Sequence, residues 1–158
     1  MINDKWQRYI AASINNHFMV QLGLLDPTIE VFIEGQHRTN VKSTKIVEIR
    51  FDGPYWQEQT RNDFYGLVEI NNLSQWKMDD TDNYTIWDMI GKVSRVMTMC
   101  IPVFNYENPA IPLIQIGTLQ RLDKKDDVQV HYFGQIDTID KIQQATCEAH
   151  YFIELTGI

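Results

Sequence analysis

Eleven residues near the C-terminus alternate without fault. Ala145, Cys147, Ala149, Tyr151, Ile153 and Leu155 are separated by Thr146, Glu148, His150, Phe152 and Glu154. Strict period two over that length specifies a strand with one face against a core and the other open. Such a strand cannot stand alone. It needs hydrogen-bonded neighbours on its edges and a second layer over its apolar face. The remaining sequence therefore has to supply both.

Neighbouring strands are readily found. Residues 28–34 alternate Ile29, Val31 and Ile33 with Glu30, Phe32 and Glu34. Phe32 on the outward side of such a strand suits a second layer or a partner. Residues 44–52 and 64–73 read as the arms of a long hairpin, with Val47, Ile49 and Phe51 on one face and Phe64, Gly66, Val68 and Ile70 on the other arm. Gly66 within that arm suggests a bulge or a close approach. Further strands are expected at 101–106, 113–122 and 128–136, and residues 74–83 read as a polar, acidic loop.

Two amphipathic helices can form the second layer. Over residues 3–25 Trp6, Ile10, Ile14, Phe18 and Leu22 recur every four positions, with Asn3 or Asp4 as a cap and Gly23 and Pro27 at the end. Over 84–99 Ile86, Ile90, Val93 and Met97 make a stripe that Trp87 and Met89 widen. Gly91 in that helix costs about 1 kcal/mol against Ala, which predicts close packing there. The element order is α-β-β-β-α-β-β-β-β. It predicts a single α+β domain over 1–158, a mainly antiparallel sheet with both helices on one face, and a long hairpin extension. A chain of 158 residues is long enough to bury a real core without staples.

Chemistry is harder to find. No GxGxxG, P-loop or nucleophile-elbow pattern occurs. His17, His37, His131 and His150 show no local zinc spacing, although His131 and His150 fall in expected strands where they can be cross-strand neighbours. Asp79, Asp80 and Asp82 lack the central Gly and closing Glu of a calcium loop. Cys100 and Cys147 form no CxxC pair and read as buried structural thiols. No catalytic residue, cofactor or metal is expected. The N-terminus has no apolar h-region, which argues against a secretory signal, and no apolar run is long enough for a membrane span. A net charge of −7 provides no basic stripe for tight nucleic-acid binding.

Aromatic residues are the surplus. Tyr55 and Trp56 follow Gly53-Pro54 at the expected hairpin tip, a loop too long for a tight turn, and Trp76 falls beside the polar loop. Core or loop packing and a protein interface both account for them, and their position favours the interface. Arg61 is the nearby cation, with Glu58 opposing it, so base stacking has little support.

An amphipathic helix, a strand, the hairpin EIRFDGPYWQEQTRNDFYGLVEI, a second helix and a closing strand follow one another over nearly the whole chain. In this order the chain resembles the neck proteins of tailed bacteriophages, most closely the tail-terminator class. The resemblance implies a structural virion protein rather than an enzyme, made in the host bacterial cytoplasm. It implies a homo-oligomeric ring, usually a hexamer, that ends tail-tube growth and joins tail to head. Its partners would be other copies of itself and adjacent neck and tail-tube proteins. DNA would pass non-specifically through the lumen, and no membrane would be involved. On this reading Tyr55, Trp56, Gln57 and Arg61 belong to an interface loop over 53–62, with Trp76 and Phe32 as further interface residues. The long second β-half, 101–136, departs from compact terminators. A head-completion or collar adaptor is the alternative role, and a small ligand-binding domain or enzyme is the reading from a different class.

Overall fold

The computed structural model describes residues 5–36, 41, 43–59, 63–77, 84–107, 113–122, 128–137 and 141–156. The chain is α+β. Its elements run α1 (Trp6–Leu25), β1 (Glu30–Ile33), β2 (Lys45–Ile49), β3 (Phe51–Gln59), β4 (Asp63–Lys77), α2 (Thr85–Met97), β5 (Ile101–Asn105), β6 (Ile114–Arg121), β7 (Gln129–Asp137) and β8 (Ile142–Thr156).

β4 and β8 are the spine. They pair antiparallel along all 15 residues of each, from Asp63↔Thr156 to Lys77↔Ile142. At about 3.3 Å per residue this ribbon is roughly 50 Å long. The alternation of β8 is realised as written: Ala145, Cys147, Ala149, Tyr151, Ile153 and Leu155 are all buried. Each edge of the ribbon is covered by two short strands in succession. β2 and then β3 line β4, and β6 and then β7 line β8. β5 extends the sheet beyond β6, and β1 beyond β2. The sheet is mixed, because β1 runs parallel to β2 while the other pairings are antiparallel.

The joint between β2 and β3 is held by two asparagines. Asn72 Oδ1 accepts the Arg50 N–H at 3.2 Å, and the Asn71 N–H donates to the Arg50 carbonyl at 2.9 Å. The backbone groups released by the break are therefore not orphaned. At the joint between β6 and β7 the Leu122 N–H donates to the His150 carbonyl at 3.0 Å.

Helix contacts fix the core. Trp6 of α1 meets Phe64 of β4 edge-on at 5.2 Å, and the Ser13 hydroxyl accepts the Phe104 N–H of β5 at 3.1 Å. Cys147 of β8 sits 3.9 Å from the Ile90 carbonyl of α2, and the Tyr151 hydroxyl donates to the Met97 carbonyl. Burial pushes the Cys147 thiol up to about 11, so it stays protonated and inert. His17 of α1 faces the Val96 carbonyl of α2 at 3.4 Å, and burial lowers its pKa, which keeps the imidazole neutral.

Several expectations need correction. The stretch expected as a long tip loop is a strand: β3 runs to Gln59, and only residues 60–62 separate it from β4. Gly53-Pro54 sits instead in an irregularity where the β3–β4 register shifts between Asp52 and Trp56. Gly66 makes no bulge in the β4–β8 ladder, where it pairs with Ile153 in unbroken register. Residues 74–77 continue β4 rather than opening a loop, because residues 142–145 of β8 pair with them. Gly91 is exposed, and a side chain there would meet nothing within 4 Å, so no element packs on it. Cys100 is exposed, since the neighbouring Ile101 takes the inward position at the start of β5. The expected caps Asn3 and Asp4, the aspartates 79, 80 and 82, and His37 lie outside the described residues.

Candidate functional site

Among the described residues β7 is exposed along nearly its whole length. Its residues from Gln129 to Tyr132 pair with Glu148 to Ala145 of β8, and among the described residues no strand lies along its other edge. Apolar side chains stand open on it: Val130, Tyr132, Phe133 and Ile136. Val130 and Tyr132 oppose Cys147 and Ala145, which places them on the inward face. There the Tyr132 ring meets Trp87 of α2 with centroids 4.7 Å apart. Trp87 remains 47 % exposed and Tyr84, just before α2, 76 % exposed. The outcome is an aromatic patch continuous with a strand edge along which no second strand runs among the described residues. A nine-residue edge with open apolar side chains is a template for pairing with another chain.

A second such edge belongs to β3. This strand pairs with β4 alone among the described residues. The backbones of Tyr55, Trp56 and Gln57 lie in β3, with Trp56 opposite Leu67 and Gln57 opposite Gly66. The side chains of these three residues, and all of Arg61, lie outside the described residues. β3 flanks the Asp63–Ile70 end of β4, and β7 flanks the Ile142–Glu148 end of β8. The two edges thus lie on opposite sides and at opposite ends of the ribbon.

The other two expected interface residues fare differently. Trp76 is 6 % exposed and part of the core, because β4 carries it inward into the same buried apolar cluster as Ala145. Phe32 is half-buried in β1, paired with Glu48. Sequence reasoning read Tyr132 as an outward strand residue but placed Trp87 in the apolar stripe of the second helix and gave Phe133 no surface role. The signal was present in β7, whose apolar positions 130, 132, 133 and 136 do not hold one face.

The clefts are shallow. One of about 570 Å³ lies between the end of α1 and α2, lined by Leu25, Trp87, Asp88, Gly91, Lys92 and Arg95. Another of about 230 Å³ is lined by Glu34, Arg50, Phe51, Asp52, Glu69 and Asn71. Neither brings a nucleophile to a base. His131 and His150 share the outward face but are not the expected cross-strand neighbours, because the register sets His131 opposite Thr146 and His150 opposite Glu69; His131 Nε2 lies 3.8 Å from Glu148, and His150 Nε2 lies 3.7 Å from Glu69.

No described protein family and no curated protein matches this chain. Eleven solved chains match it in fold. One, whose name carries no functional description, superposes with a TM-score of 0.54 at 10 % identity, over 96 % of this chain and 98 % of that one. At that identity the likeness shows a shared fold along nearly the whole chain. Among the described residues no helix is long and apolar enough to cross a membrane.

Proposed function

We propose that this protein is a ring-forming structural subunit of a tailed-phage neck, of the tail-terminator kind, with DNA passing through the ring. The observation that carries the reading is β7, a strand paired with β8 alone among the described residues and bearing exposed Val130, Tyr132, Phe133 and Ile136. A free subunit gains by covering it. Two unlike edges at opposite ends of the ribbon suit head-to-tail contact, which closes into a ring when the rotation permits. In this reading the two helices lie together over the inward face of β4 and β8, and the β3–β4 hairpin extends towards the next subunit. Tyr55, Trp56, Gln57 and Arg61 are its contact residues. The acidic balance supports a lumen that lets DNA slide without holding it. A head-completion or collar adaptor would use the same edges with a different neighbour.

The test is light scattering after size exclusion, with negative-stain microscopy. The protein is expected to form closed rings, alone or on addition of tail tubes. Val130→Lys with Phe133→Lys should fold normally, because both positions are exposed, and should abolish the ring. A wild-type chain that stays monomeric under both conditions rejects the reading.

A further inference from the structure

Away from both edges, the outward face of the central strands gathers an unusual donor set. Glu69 of β4 stands directly opposite His150 of β8, and Glu148 lies two residues along β8 on the same face. One donor atom from each of these three lies within 4.8 Å of the others. His131 of β7 reaches to 3.8 Å from Glu148 and flanks the group on its far side. Three adjacent strands thus present carboxylate and imidazole donors from a rigid, paired backbone.

The group is short of positive charge. Glu69 and Glu148 bring two carboxylates together on one face, and like charges this close repel. Asp52, opposite Glu69 on β3, adds a further carboxylate. The nearby Arg50 guanidinium is engaged by Glu48 at 2.6 Å. An independent sign comes from Asn71, directly opposite Glu148. Its Oδ1 is buried and has no hydrogen-bond partner among the described residues. Two carboxylates and an unanswered amide oxygen make a surplus of acceptors that a cation would resolve.

We propose that Glu69, Glu148 and His150 form a binding site for a divalent cation of the zinc class. Mixed nitrogen and oxygen donors suit such a borderline ion, whereas calcium and magnesium prefer all-oxygen shells. Bonds of about 2.0–2.2 Å set tetrahedral ligands about 3.4 Å apart. The 3.7 Å separation of His150 and Glu69 already approaches this. None of the three side chains is fully buried, so small rotations close the rest. Three protein ligands leave one position open, which His131 or a group from a bound partner can fill.

The experiment uses tag-free, chelator-stripped full-length protein titrated with zinc by calorimetry and with cobalt(II) by visible absorption. One ion per chain is expected, with a tetrahedral cobalt spectrum. Glu148→Gln and His150→Ala should each weaken binding by roughly tenfold or more. Asp88→Asn, on α2, should leave it unchanged. Zinc should raise the melting temperature of the wild type and not of Glu148→Gln. Without metal, Glu148→Gln should melt at or above the wild type, because it removes carboxylate repulsion. A purely structural role for Glu148 predicts the opposite sign. Absent binding, or binding equal in the wild type and in folded Glu148→Gln and Glu69→Gln, overturns the proposal.

Discussion

Asp26 shows what one well-placed charge does for this fold. It follows the last residue of α1 and is buried. Its carboxylate accepts from the Thr28 N–H and hydroxyl, from Lys92 of α2 at 2.8 Å and from Lys45 of β2 at 3.3 Å. Desolvation works against its charge, but these partners win and hold its pKa well below the usual carboxylate range. A depressed folded pKa stabilises the fold above the unfolded value of about 3.9, and the contribution is lost as pH falls towards the folded value. Asp26→Ala should cost about 3 kcal/mol at neutral pH, since it removes the acceptor shared by Lys92 and Lys45 and unties α1, α2 and β2 together. Urea melts from pH 7 to pH 2 should show the variant losing less stability in acid than the wild type. Glu69 has the opposite sign. Its raised pKa makes its ionisation costly to the metal-free fold, so its contribution falls as pH rises through that value. None of this was legible in the sequence, because Asp26 reads there as a residue before a proline. The outward cluster was half legible: period two put His150 and Glu148 on one face, but Glu69 joins them only through the β4–β8 register.

At the scale of elements, the sharpest packing constraint is Gly117 in β6. A Cβ there would stand 2.0 Å from the Glu154 carbonyl oxygen and 2.8 Å from the Leu155 Cα, both backbone atoms of β8. Neither can move without disturbing the spine. Gly117→Ala should therefore destabilise by about 2–3 kcal/mol, whereas Gly91→Ala, in open space on α2, should stabilise by about 0.5–1 kcal/mol. Paired thermal melts of the two variants check both signs. The sequence marks Gly117 as an interruption, and the structure shows a close approach beside an irregularity between Val103 and Phe104 of the adjoining β5. β8 and both helix stripes were readable because apolar periodicity and burial coincide there. The far end of β4 was not, because Asn72 and Ser74 take inward positions and break the hydrophobic alternation. β3 was hidden for another reason. Its Gly-Pro pair signals a turn, yet the chain absorbs it as an irregularity and continues pairing with β4 to Gln59.

For the whole molecule, the placement of the two open edges makes the proposed assembly testable without seeing a ring. If β3 of one copy meets β7 of the next, every contact joins two different surfaces, and no subunit can satisfy itself. A variant with a disabled β7, Val130→Lys with Phe133→Lys, keeps a working β3. A variant with a disabled β3, Tyr55→Ser with Trp56→Ser, keeps a working β7. Each should be monomeric alone, with circular dichroism melting beside the wild type as the check that it folds. Mixed in equal amounts, they should form a one-to-one heterodimer that grows no further, since the two remaining edges are both blocked. Removing two aromatic anchors costs an interface up to about 2–3 kcal/mol each, enough to separate these outcomes at micromolar concentration. An interface of like with like predicts otherwise: β7 meeting β7 would let the β3 variant dimerise by itself and leave the mixture unchanged. Light scattering on the two variants and on their mixture decides between the geometries. A mixture that stays monomeric, beside a wild type that assembles, shifts the contact away from these edges altogether.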